Sequence, residues 1–159
     1  MSQAREPAFY ERYGFADTVT GRFDCLALHL FLLSRRLVRA DTQPARSLNQ
    51  EVFDRFIDDI DRALRELGVG DTSVPKRKKK LVRGFYGMVA DFSAPMDGND
   101  RTALLRAVAN RFECGEPAAE LLADYVLSAA RHLDWIDGER LLSGTIDWPQ
   151  AGLATGAAA

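Results

Sequence analysis

Apolar residues recur at helical spacing along almost the whole chain, and nowhere do apolar and polar positions alternate beyond a few residues. The pattern predicts an all-α fold: one bundle of about six helices over residues 1–149, followed by a flexible tail, 150–159, of Ala, Gly and Thr around Leu153. A short first helix is expected from Pro7, carrying Phe9, Tyr10 and Tyr13 before Gly14, and a second from about Thr20 to Arg39. The third is expected to open on the capping-box spacing Ser47-Leu48-Asn49-Gln50 and to run to Gly68. Its outer face offers Glu51–Arg55, Asp58–Arg62 and Asp61–Arg65 as pairs four apart. A fourth helix is expected from Pro75 to about Ser93, with Pro95 to Asn99 as a turn. A fifth follows Asp100 and closes at Gly115, and a sixth runs from Pro117 until Gly138 ends it. A last turn around Leu141 and Leu142 precedes Trp148-Pro149.

The fourth helix departs from what stability alone would select. Leu81, Phe85, Met88, Val89 and Phe92 make its apolar face, while Lys76, Arg77, Lys78, Lys79, Lys80 and Arg83 put six cations into positions 76–83 with no acid among them. They occupy the first turns, where the helix macrodipole is positive and each cation is unfavourable by about 0.3–1 kcal/mol. Acids of the third helix could offset them. Three of its six acids have expected intrahelical partners, which leaves Asp54, Asp59 and Glu66. The alternatives are therefore a face held ready for an anionic partner and a face compensated from within. Gly84 and Gly87 each cost about 1 kcal/mol relative to alanine inside a helix, so the pair suggests close approach by another backbone, of this chain or of a partner.

On the second helix, Arg22, His29 and Arg36 are spaced by seven and form a basic stripe on an otherwise apolar surface. His29 reads either as an acid–base or haem-ligating group or, more commonly for such a position, as a core histidine with satisfied nitrogens.

Composition narrows the function classes. The chain of 159 residues is 47% hydrophobic and 28% charged, with a net charge of −2, an ordinary globular profile with no global pull toward nucleic acid or membrane. No DNA partner is expected. Cys25 and Cys114 belong to no CxxC pair, so neither zinc nor a dithiol is suggested, and lone thiols without a secretory signal read as reduced and intracellular. Met1 to Glu11 resembles neither a signal nor a transit peptide. The longest apolar run, Cys25 to Leu33, falls far short of the ~20 residues that cross a bilayer, so a soluble or surface-attached protein is expected. No nucleophile elbow, phosphate loop or metalloprotease motif is present, and no enzyme, cofactor or metal is expected.

Several segments together resemble one family. Thr18-Val19-Thr20-Gly21-Arg22-Phe23-Asp24, Leu28-His29, Arg36-Leu37 and Val52-Phe53-Asp54 resemble signature segments of the ubiquinol–cytochrome c chaperone family. Asp58-Asp59-Ile60-Asp61, Leu64-Arg65-Glu66, Gly68-Val69-Gly70-Asp71, Val74-Pro75-Lys76 and Phe85-Tyr86-Gly87 continue the match over roughly residues 8 to 133. The resemblance implies a helical, non-enzymatic assembly factor for the cytochrome bc complex that binds newly made cytochrome b. Mitochondrial members of that family act near the ribosomal tunnel exit with a small partner protein. Without a transit peptide, the implied setting is bacterial, on the cytoplasmic side of the inner membrane. In that reading Lys76, Arg77, Lys79, Lys80 and Arg83 meet an anionic membrane surface. Gly84, Gly87 and Tyr86, with the Arg22/His29/Arg36 stripe, then line a client groove. The alternative is an RNA- or ribosome-binding helical module that uses the basic patch 76–83.

Overall fold

The computed structural model describes residues 2–151 and is all-α, with no strand among the described residues. A 3-10 turn, Gln3–Arg5, leads into α1 (Ala8–Glu11), then α2 (Val19–Ala40), α3 (Gln43–Glu66), α4 (Val74–Asp97), α5 (Arg101–Phe112), α6 (Glu116–Trp135) and α7 (Gly138–Leu142). Of the tail expected to be flexible, positions 152–159 lie outside the described residues.

The tight start of α2 depends on Gly21. The Thr18 hydroxyl caps the helix by accepting from Gly21 N (3.1 Å), which brings the preceding turn so close that a Cβ at Gly21 would sit 2.0 Å from the Ala16 carbonyl. From there α2 runs through the centre of the bundle. Cys25, Leu28, Leu30, Phe31, Leu32 and Leu37 are all buried, and the other long helices pack around them. Aromatic contacts join the layers: Phe23 on Phe56 at 5.5 Å, Phe53 on Phe85 at 5.5 Å and Phe31 on Phe92 at 6.0 Å.

Three cross-helix contacts set the directions. Arg35 pairs with Asp97 at 2.5 Å, so α2 and α4 finish at the same end of the bundle. Arg36 donates to the carbonyls of Leu133 (2.9 Å) and Ile136 (3.1 Å), and Arg39 pairs with Asp134 at 3.2 Å, so α6 finishes there too. The helices α2, α4 and α6 are therefore parallel, with the first turns of α4 at the opposite end.

Several element boundaries differ from those the residue pattern suggests. Thr42, whose hydroxyl accepts from Ala45 N, caps α3 ahead of Pro44, so Ser47-Leu48-Asn49-Gln50 lies inside the helix and is no capping box. Helix α4 passes Ser93 and carries Pro95 within it, because Met96 is buried and Asp97 is held by Arg35. The N–H that proline lacks would have served the carbonyl of Asp91, an exposed residue that water can reach. Helix α5 ends at Phe112 with Glu113 in the left-handed region (φ 50), and Gly115 becomes the N-cap of α6. Gly138 opens α7 after Asp137, whose carboxylate accepts from Glu139 N at 2.8 Å. On α3 only the Asp61–Arg65 pair forms as expected (2.8 Å), while Asp59 takes both Arg55 (3.1 Å) and Arg62 (2.7 Å).

Candidate functional site

Helix α4 begins without a side-chain cap. Ser73 has helical backbone angles and its hydroxyl makes no capping bond, and the first turn holds no acid, so no side chain of that turn offsets the positive end of the macrodipole beside the cations. Wound at about 100° per residue, Leu81, Val82, Phe85, Met88, Val89 and Phe92 fall within an arc of about 120° that faces α2, α3 and α5. Lys79, Arg83, Lys76, Lys80 and Arg77 fill an arc of about 160° on the other side, over about 10 Å of helix. All five are exposed.

The acids of α3 leave this face unneutralised. Asp54 accepts from the Gln50 amide at 2.8 Å, Asp59 is occupied by its two arginines, and Glu66 pairs with no cation among the described residues. Lys78 is the exception within the run. Its side chain turns back toward α3 and its ammonium meets Asp61 at 2.9 Å. The Arg65 and Lys78 hydrogen bonds hold the Asp61 carboxyl below the usual carboxylate range. Lys76, Arg77, Lys79, Lys80 and Arg83 form no ion pair among the described residues. Beside them Tyr86 is 57% exposed, its ring resting on Phe53 (5.9 Å) and Phe85 (5.6 Å).

Gly84 and Gly87 serve a side chain of the same chain, and not an approaching backbone. Arg111 of α5 lies over them and donates to the Gly84 carbonyl at 2.5 Å. A Cβ at Gly84 would stand 3.0 Å from the guanidinium, and one at Gly87 3.4 Å. Half-buried Asp24 on α2 lies in the field of the same guanidinium. Burial raises its carboxyl above the usual range and Arg111 partly opposes the shift.

The Arg22/His29/Arg36 stripe is not presented as a surface. Arg22 is exposed at the start of α2, paired with Asp17 at 2.7 Å and lying 5.5 Å from the Tyr10 ring. Arg36 is engaged with the end of α6. His29 is buried with both nitrogens used. Nδ1–H donates to the Cys25 carbonyl (2.7 Å), and Nε2 accepts from the Tyr125 hydroxyl (2.9 Å). Phe9 and Trp148 stand edge-on to the ring, each 5.0 Å away. Burial pushes this imidazole down to about 4, against the Cys25 carbonyl bond that favours the charged form. The neighbouring Cys25 thiol is pushed up to about 12 by burial, which leaves it a weak nucleophile. His29 is thus the satisfied core histidine, with no free position for a ligand.

Two features have no local sign in the sequence. Arg111 as occupant of the glycine notch is a pairing across 27 positions, which no short motif reveals. Trp135 is 89% exposed although its neighbours Leu133 and Ile136 are buried. Its place opposite Leu133 on the helical wheel is the one available hint.

The family model described as ubiquinol-cytochrome C chaperone matches residues 11–148. No curated protein matches. Among solved structures, the crystal structure of the Cbp3 homolog from Brucella abortus is similar at 39% sequence identity and a TM-score of 0.83. The similarity covers 94% of this chain and 84% of that one. With the family model spanning most of the chain, and the all-α fold shared with a Cbp3 homolog, the chain belongs to the ubiquinol-cytochrome C chaperone family.

Proposed function

We propose that this chain is a non-enzymatic assembly chaperone of the respiratory cytochrome bc complex, that it binds newly made cytochrome b, and that it works as a peripheral protein on the cytoplasmic face of a bacterial inner membrane. One observation carries the reading beyond family membership: five exposed cations in the first three turns of α4, two of them at the unfavourable end of its dipole, with no ion-pair partner among the described residues. Such an arrangement is retained where something outside the molecule supplies the negative charge. No helix among the described residues is long and apolar enough to cross a membrane, which is compatible with attachment from one side.

The same cations would serve an RNA- or ribosome-binding module, the second reading. Exposed Tyr86 beside them is the observation in its favour, since a base can stack on a tyrosine. Against it, this is a single ring already packed on Phe53 and Phe85, whereas readers of single strands array several.

The test is deletion of the gene followed by the absorbance spectrum of cytochrome b in isolated membranes. Loss of the signal with the transcript intact is expected, and normal cytochrome b content overturns the chaperone reading.

A further inference from the structure

We infer that the outer face of the first turns of α4 is a docking surface for an anionic lipid bilayer, seated so that the opposite end of the bundle, where Trp135 is exposed, points away from the membrane. The inference rests on the peripheral setting proposed above and names the partner of that face.

Three observations select lipid and this orientation. Lys76, Arg77, Lys79, Lys80 and Arg83 spread over about 160° of helix surface within about 10 Å, which suits a plane of phosphates better than a single ligand. Three of the five are lysines, point charges on flexible stems, where recognition of one phosphate in a fixed geometry would favour forked guanidiniums. The nearest exposed ring, Tyr86, lies at the edge of the arc and offers no run of stacking platforms for bases.

Orientation follows from what lies further along the helix. Beyond Arg83 the exposed face carries no further cation. It carries instead Asp91, exposed and with no ion-pair partner among the described residues, then Asp97, which Arg35 neutralises, and past the helix Asp100, which caps α5. An anionic surface therefore attracts the first turns of α4 and meets no cation of this helix beyond Arg83. Because α4 and α6 finish together, Trp135 stands at the end away from the cations, about 20 Å along the bundle from Arg83.

The chain has two tryptophans, so Trp148→Phe leaves Trp135 as the only indole reporter. This variant is mixed with vesicles of phosphatidylcholine alone or with phosphatidylglycerol added, and with the same vesicles carrying brominated acyl chains. Co-sedimentation with the anionic vesicles only, lost at about 0.5 M salt, is expected. Bound Trp135 should keep its emission maximum, stay open to iodide and escape quenching by bromine. Neutralising Lys76, Lys79 and Lys80 together to Gln should weaken partitioning about a hundredfold, each cation near such a surface contributing about fivefold. Circular dichroism of the triple variant should be unchanged, since none of the three side chains has an ion-pair or hydrogen-bond partner among the described residues.

Undiminished binding by the triple variant, bromine quenching of Trp135, or capture of an oligoribonucleotide with no capture of vesicles would each overturn the inference. The deletion strain separates the two claims. Normal cytochrome b with salt-sensitive vesicle binding removes the chaperone reading and supports the docking surface. Absent vesicle binding with lost cytochrome b removes the docking surface and leaves the chaperone reading in place.

Discussion

Between α2 and α6, His29 shows how a residue that reads as chemistry in one dimension becomes structure in three. Its Nε2 bond ties α2 to Tyr125 of α6, while Nδ1–H is satisfied one turn back on α2 by the Cys25 carbonyl, and Gln3 completes the group by reaching Pro149 O at 3.0 Å. Because burial holds the imidazole down at about 4, the unfolded chain takes up a proton near the ordinary value of about 6.5 while the folded chain does not. The stability this group supplies is complete above about pH 6.5 and is lost progressively as pH falls toward 4, amounting to about 3 kcal/mol at most. His29→Gln keeps a donor and an acceptor without a proton to gain. Urea unfolding at pH 7.5 and 5 should show a smaller loss of stability for the variant than for the parent, and equal losses would refute this account. The Cys25 and Tyr125 hydrogen bonds to His29 could not be inferred from spacing alone. The four-residue step to Cys25 is visible on α2, but Tyr125 lies 96 positions away.

At the scale of the element, α4 carries the clearest conflict between stability and use. Lys76→Glu would replace a cation by a carboxylate in the first turn of α4, at the positive helix end. The variant should gain about 1 kcal/mol, seen as a midpoint about 2–4 °C higher in thermal unfolding. It should also bind anionic vesicles less well than the parent. A lowered midpoint would mean that Lys76 has a structural role. Helix period made α2, α3, α4 and α6 legible from Leu, Phe and Ile positions, and their cores lie where that period places them. Helix ends were less legible, because competing local signals are decided by tertiary contacts. Ser47 loses to Thr42, and Pro95 is overruled by Met96 and Asp97. The exposed cations were legible because six in eight positions override any plausible wheel. The glycine pair was legible only as a notch, since its occupant, Arg111, belongs to another helix.

For the molecule as a whole, the parallel course of α2, α4 and α6 depends on how their common end is closed. Arg36 donates to two carbonyls at the end of α6, of which Leu133 O also accepts from Ile136 N and Ile136 O depends on the guanidinium, so Arg36→Met should cost about 1 kcal/mol. Arg36→Lys should not restore it, because an ammonium cannot span both carbonyls as the planar guanidinium does. Chemical denaturation of the three proteins would check this, and full rescue by lysine would count against a two-pronged contact.

The gathering of positive charge at the start of α4 has a consequence at longer range. Since the total is only −2, the remaining surface must be acidic, and the body has a large electric moment with little net charge. Approaching a negatively charged plane, such a body feels a torque before it feels much attraction, within the roughly 8 Å over which physiological salt lets fields persist. It turns first and lands afterwards, so a slowly tumbling encounter is converted into arrival with one end leading.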